Sequence, residues 1–119
     1  MAEPFVLTES ILTSIKKLLG MEEDYVAFDT DIILLINDAL FSANQLGIGP
    51  AEGFEIADKT AVWSEFIGAR KDLAGIKKYV YQKVKLAWDP PQAGYLVEAI
   101  KEQIKESEVR LNIQAEGGI

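Results

Sequence analysis

The chain has 119 residues, 49% of them hydrophobic and 26% charged, which is typical of one globular domain and unlike a disordered or membrane-embedded chain. It contains no cysteine and no histidine, which excludes disulfides, thiolate metal sites, thiol nucleophiles and histidine general bases. The formal net charge of −7 disfavours nonspecific binding to nucleic acid or anionic lipid.

The charge is unevenly distributed along the chain. Residues 1–66 have a net charge of −9, residues 67–88 one of +5, and residues 89–119 one of −3. One segment is therefore basic within an acidic protein. Its lysines either form a solvated face that balances the acidic helices or provide a complementary surface for an acidic neighbour, such as another copy of the chain.

The first half of the chain predicts two helices. Residues 1–7 contain Pro4 and have no hydrophobic periodicity, so we expect a flexible arm. Nothing in the N-terminal residues indicates an export signal. A first helix begins after a Thr8 N-cap, places Lys16 and Lys17 in its last turn and ends at Gly20. A second helix begins at residues 29–31 and ends at residues 46–47. Its apolar face is broad, as expected of the central helix of a bundle or of one that contacts a second subunit.

Residues 47–59 are the least regular segment, with three glycines and one proline. Phe54 and Ile56 alternate with Glu55, which weakly indicates a short strand. Loops of this length are often functional or mobile. A short third helix over 61–67, with Thr60 as its cap, follows this loop.

Two further helices complete an all-α bundle of about five helices. The fourth is predicted over 72–88, where Gly75 indicates close packing or a later start and Pro90 and Pro91 enforce the end. The fifth, over 93–112, would be about 30 Å long with a narrow apolar stripe, so we expect it to project towards a partner. The predicted organisation is one helical domain over 8–113, between the arm and a flexible tail over 114–119.

None of the residue patterns predicts a catalytic, cofactor or metal site. Three acidic groups could each bind a hard cation: Asp29 with Asp31, Glu22 with Glu23 and Asp24, and Glu102 with Glu106. Their spacing does not match a calcium-binding loop, and helix capping or solvation explains their presence. Tryptophans and tyrosines near the lysines could stack on nucleic-acid bases, although their helical spacing is more typical of a core. A helix-turn-helix over 60–88 is a weak alternative, since the segment lacks a polar recognition face.

Several segments resemble the head–tail connector family of long-tailed bacteriophages and their prophages. The most specific is residues 83–91 (KVKLAWDPP), followed by 102–106 (EQIKE) and 110–112 (RLN). Three upstream segments fit the same family in the same order: 36–39 (INDA), 46–50 (LGIGP) and 63–67 (WSEFI). The resemblance extends over nearly the whole chain, from Ile11 to Asn112.

The resemblance implies a structural virion protein that is not an enzyme and needs no cofactor. Members of this family assemble as a ring beneath the portal after DNA packaging, extend the DNA channel and offer a docking surface to tail-side proteins. The expected partners are other copies of the chain, the portal protein and a tail-side completion protein, with DNA passing through without specific binding and no membrane contact. The expected location is the head–tail interface of the virion, and the bacterial cytoplasm during assembly.

Within this picture two groups of residues are the candidate sites. The expected subunit or portal contacts are Lys77, Lys83, Lys85, Glu102, Glu106, Arg110 and Leu111. Glu52, Glu55 and Asp58 of the loop over 47–59 are expected to line the channel, where negative charge would let DNA slide without sticking. The alternative function is a DNA-binding component of the packaging machinery, similar to a small terminase subunit, with the lysines of residues 77–85 on phosphates.

Overall fold

The computed structural model describes residues 5–117 and is all-α, which confirms the predicted fold class. The α-helices are α1 (Ile11–Leu18), α2 (Asp29–Gln45), α3 (Trp63–Ile67), α4 (Gly75–Trp88) and α5 (Gly94–Gly117), with a 3₁₀ helix (Lys71–Leu73) before α4. Residues 1–4 of the predicted arm and 118–119 of the predicted tail lie outside the described residues.

The caps of α1 and α3 differ from the sequence predictions because backbone context selects them, whereas α2 begins at Asp29 as predicted. Ser10, not Thr8, caps α1, and its Oγ accepts a hydrogen bond from the Thr13 amide at 3.1 Å. Asp29 is the first residue of α2, where its negative charge interacts favourably with the positive end of the helix dipole. The α3 helix begins at Trp63 without a Thr60 cap; the Glu65 carboxylate accepts the Val62 amide at 2.8 Å instead.

The core lies between α2 and α4, with α1 and α3 closing one end. Its fully enclosed side chains include Ile36 and Leu40 of α2, Val80 and Val84 of α4, and Trp63 of α3. The Trp63 indole donates to Ser14 Oγ at 3.0 Å, so the one polar atom of the buried ring has a partner. The apolar faces of α2, α3 and α4 therefore meet in this core.

The segment that leads into α1 pairs with residues 61–64 through backbone hydrogen bonds. The Ser64 amide donates to Leu7 O at 2.8 Å, the Trp63 amide to Glu9 O at 3.2 Å, and the Ile11 amide to Ala61 O at 3.0 Å. Phe5 lies against the Trp63 ring, with the ring centroids 6.1 Å apart. Residues 5–10 thus pack on the body of the protein, through backbone pairing that no side-chain pattern encodes.

Two asparagines of α2 hold the irregular loop over 47–59. The Asn37 amide donates to Ile56 O at 3.0 Å and its oxygen accepts the Ile56 amide at 2.7 Å. Two helical turns further along α2, the Asn44 side-chain amide donates to Ile48 O and Pro50 O, at 3.0 and 2.8 Å. The weakly indicated strand over 54–56 does not form, because the backbone of Ile56 bonds to a side chain and finds no second strand within residues 5–117.

The last helix is longer than predicted and its second half docks on the body. It extends to Gly117, five residues beyond the predicted end, and Leu111 is its one buried side chain among the residues whose burial is described. Asn112 donates to Leu46 O at 2.9 Å, which satisfies a carbonyl at the end of α2. The first half of α5 is exposed, with Tyr95 at 76% and Leu96 at 44% accessibility.

Candidate interaction surfaces

The lysines of α4 do not form one continuous basic face. Lys77 pairs with Glu9 at 3.4 Å, ahead of α1, and Lys85 pairs with Asp89 at 3.1 Å, at the end of its own helix. Lys83 faces α2, where it donates to Ser42 Oγ at 3.1 Å and lies 5.6 Å from the centre of the Tyr79 ring. Each of the three predicted contact lysines therefore already has a partner inside the subunit.

The predicted contact residues of α5 divide into one core residue and three exposed ones. Leu111 is 4% accessible and packs in the core of its own subunit. Glu106 pairs with Arg110 at i,i+4 spacing, and Glu102 pairs with Lys105 at i,i+3 spacing, at 3.8 Å. All of these charged side chains are more than half exposed, so the pairs contribute little stability and remain accessible to a partner.

The predicted channel residues Glu52, Glu55 and Asp58 are all exposed on the loop over 47–59. Thr60 donates to Asp58 from both its amide and its hydroxyl, which lowers the pKa of the Asp58 carboxyl below its ordinary value. The loop is held at Ile48, Pro50 and Ile56 by the α2 asparagines. Its carboxylates are thus carried on a fixed segment.

A groove that sequence patterns did not indicate opens between α1 and the start of α4. It has a volume of about 550 Å³, and we call it the basic groove. Its walls combine apolar and cationic side chains: Phe5, Leu18, Ala74 and Tyr81 with Lys17, Lys77 and Lys78. The charge of the segment 67–88 pointed to the α4 lysines, but only the fold brings Lys17 and Phe5 to the same place.

A second surface is formed by residues 22–28, between α1 and α2, and we call it the acidic loop. Glu22, Glu23 and Asp24 are exposed, and so are the apolar side chains of Tyr25, Val26 and Phe28, at 49%, 64% and 41%. The Phe28 ring also makes an edge contact with Trp88, with the centroids 5.1 Å apart. The loop therefore presents acids and apolar groups together.

Lys16 fixes the acidic loop to α1. Its side chain is 2% exposed, and the ammonium donates to Glu23 O at 3.0 Å and to Tyr25 O at 2.7 Å. The same group pairs with Asp29 Oδ1 at 2.8 Å. The sequence predicted Lys16 in the last turn of α1, which the structure confirms; its burial and its bonds to the loop were not predicted.

A buried polar contact joins α4 to α5. The hydroxyl of Tyr79, whose side chain is enclosed, donates to Glu108 Oε2 at 2.8 Å. Burial, followed by the adjacent Glu108 carboxylate, raises the pKa of Tyr79 well above its ordinary value. Nearby, the Gln82 amide donates to Gln103 Oε1.

Across residues 5–117, no group of three or more acidic side chains is arranged to hold a metal ion. Within the same span, no helix combines the length and the apolar character needed to cross a membrane.

Comparison with known proteins gave one finding. A family model described as phage connector protein matches residues 11–118. Searches of curated proteins and of solved structures found no match. The segments that carried the resemblance have structural contacts in this fold: Asn37 holds the loop, Trp63 fills the core, and Asn112 caps α2.

Proposed function

The chain belongs to the family of phage connector proteins, and from this premise we propose that it forms a ring beneath the portal, joins the DNA-filled head to the tail and extends the DNA channel. The match over residues 11–118 is the observation that carries this proposal. A connector is a structural protein that contacts other head and tail proteins, and the ring is the specific form of assembly that we infer here.

Two features support a ring. A closed ring needs two different, complementary patches on each subunit, so that each copy binds the next in the same way. The basic groove and the acidic loop have opposite charge and both expose apolar side chains. The subunit therefore has the chemistry that a head-to-tail contact requires.

The exposed residues of α5 are the best candidates for the portal contact. Glu102, Glu106 and Arg110 are exposed on α5. The first half of this helix also exposes the apolar side chains of Tyr95 and Leu96. Leu111 would act indirectly, by holding α5 on the body. The loop carboxylates Glu52, Glu55 and Asp58 would face the channel and repel DNA.

Assembly on heads tests this function directly. DNA-filled heads made without the protein should bind the purified chain in a ring that is visible by electron microscopy, and should then retain their DNA and accept tails. Reversal of Glu102 and Glu106 to lysine should weaken this binding, whereas reversal of Lys59, which is exposed on the loop over 47–59, should not. Heads that never bind the chain would contradict the proposal.

The DNA-binding alternative makes the opposite prediction in a simpler assay. Phosphate contacts give duplex binding that falls steeply with log salt, with a slope of about −0.9 per phosphate contacted. Of the lysines in residues 77–85, Lys77, Lys83 and Lys85 have partners within the subunit, which leaves Lys78. Because the chain also has a net charge of −7, we expect no such binding at physiological salt. A steep salt dependence would favour the packaging role.

A further inference from the structure

We propose that the acidic loop of one copy occupies the basic groove of the next copy, and that this contact is the repeating interface of the assembly. The proposal rests on the ring function proposed above and names the two surfaces that would meet. It follows from the charge, the apolar content and the position of these surfaces on one subunit.

The basic groove has cations without enough internal partners. Lys77 faces Glu9 at 3.4 Å, but Lys17 and Lys78 are exposed and have no carboxylate within 4.0 Å among the described residues. The same groove is lined by the apolar side chains of Phe5 and Leu18, the latter 44% exposed. A fitting occupant would bring both carboxylates and apolar side chains.

The acidic loop meets this requirement. It has three consecutive exposed carboxylates, Glu22, Glu23 and Asp24, followed directly by the exposed Tyr25 and Val26. Because Lys16 binds the backbone of Glu23 and Tyr25, the loop is held in one conformation before it meets a partner. Such preorganisation reduces the entropy lost on binding.

The positions of the two surfaces suit a head-to-tail contact. Ser14, Lys17 and Leu18 of α1 line the basic groove, whereas Leu12, Thr13 and Lys16 line the cleft beside Glu23 and Asp24. At 100° per residue these two sets lie on opposite flanks of α1. The acidic loop and the basic groove thus face different neighbours, and each contact leaves one free surface at either end to continue the assembly.

Nucleic acid is a poorer occupant of the same groove. Glu9 lies in the groove wall, and the apolar Phe5, Leu18 and Ala74 offer no donors to phosphate oxygens. An acidic segment with apolar side chains matches both features, and the chain itself carries one. A second copy is therefore the occupant that the surfaces favour.

Site-specific crosslinking tests the contact, and the chain, which contains no native cysteine, is well suited to it. One preparation carries Leu18→Cys in the groove and a second, differently tagged, carries Val26→Cys in the loop. Mixed and joined with a short bis-maleimide, they should give far more mixed dimer than either homodimer. The matched control replaces Val26→Cys with Ile113→Cys, a similarly exposed apolar position on α5 at 59% accessibility. A mixed dimer no more abundant than this control would overturn the proposal.

Charge reversal adds a specificity test. Lys17→Glu with Lys78→Glu in the groove, or Glu22→Lys with Asp24→Lys in the loop, should each lower the mixed-dimer yield about tenfold, because like charges then meet. Combining the reversed groove with the reversed loop should restore it. A yield unaffected by either reversal, or not restored by the combination, would overturn the pairing.

Binding of the wild-type chain to DNA-filled heads is measured in parallel, so that two failures can be told apart. Head binding together with control-level crosslinking would reject this interface and leave the connector function standing. Mixed dimers without head binding would support the interface and reject the connector function.

Discussion

Lys16 is an ammonium group enclosed by protein, and its oxygen partners explain how it can be buried. Two backbone carbonyls and the Asp29 carboxylate lie within 3.0 Å of its Nζ. Removing one member of a buried charged network leaves the others without partners, which is costlier than losing an exposed pair. The stability of the acidic loop therefore depends on this one side chain.

Lys16→Met should lower the free energy of unfolding by about 3–5 kcal/mol, because the loop carbonyls and Asp29 lose their partner. Urea unfolding followed by tryptophan fluorescence measures the change. The neighbouring Lys17→Met, at an exposed position, should change stability by no more than about 0.5 kcal/mol. Equal effects of the two substitutions would contradict the assigned role of Lys16.

Position 49 requires glycine for two reasons, the backbone conformation and the closeness of the Phe66 ring. Its φ is +85°, and a Cβ added there would lie 2.4 Å from the Phe66 ring. Gly49→Ala should therefore cost about 2–4 kcal/mol, the sum of the left-handed backbone and the overpacking terms. Thermal unfolding measures this loss.

Gly53→Ala is the matched control for Gly49→Ala. Its φ is +98°, but nothing lies within 4 Å of the added Cβ, so only the backbone cost of about 1 kcal/mol applies. The difference between the two variants isolates the contact with Phe66. Equal losses of stability in the two variants would mean that the contact with Phe66 does not contribute to the cost of Gly49→Ala.

At the scale of elements, helix periodicity predicted the helices well because apolar spacing is encoded locally. The Pro90-Pro91 stop ends α4 at Trp88, and Gly20 has a φ of +84° just after α1, as expected of a terminating glycine. Contacts between distant residues were not predictable in the same way. Asn37 bonding to Ile56 and the backbone pairing of residues 7–11 with 61–64 depend on how the helices pack.

The same limit applies to the interaction surfaces. The charge of α4 was visible in the sequence, but the partners of Lys77 and Lys83, on Glu9 and Ser42, come from other elements. The basic groove draws on the N-terminal segment, α1 and α4 together, so no single window of sequence reveals it.

Asn37→Ala should release the loop over 47–59 from α2. The substitution removes both hydrogen bonds to Ile56 and leaves a partly buried backbone without partners, at a cost of about 2–3 kcal/mol. Hydrogen exchange should show faster exchange at the Ile56 amide than in the wild type. The adjacent exposed Asp38→Ala should leave this amide protected, and an unchanged Ile56 rate in Asn37→Ala would contradict the assignment.

At the scale of the whole molecule, α5 is joined to the body from Gln103 and Ile104 onwards. Glu108, Leu111 and Asn112 contact α4, the core and the end of α2 in turn. Arg70 adds a hydrogen bond from its guanidinium to Gln114 O at 2.9 Å. The exposed first half of α5 is thereby presented in a fixed direction.

Alkaline pH should weaken this attachment. The folded-state pKa of Tyr79 is raised, so its contribution to stability is complete below the unfolded pKa of about 10 and is lost as pH rises above it. Unfolding free energies measured between pH 9 and 11.5 should fall more steeply for the wild type than for Tyr79→Phe. Tyr95→Phe, at a 76% exposed position, should keep the wild-type slope, and identical slopes for all three proteins would contradict the assignment.

The pairing of residues 7–11 with 61–64 also has a consequence for the order of folding. Ser14 of α1 and the Trp63 indole that it binds are 49 residues apart, so closing this part of the core carries the entropy cost of a long loop. The α4–α5 contacts are closer in sequence, 29 residues apart for Tyr79 and Glu108 and 21 for Gln82 and Gln103, and should form with less delay. During synthesis, the basic groove, whose walls need both Phe5 and Tyr81, is therefore completed late, when most of the chain has been made.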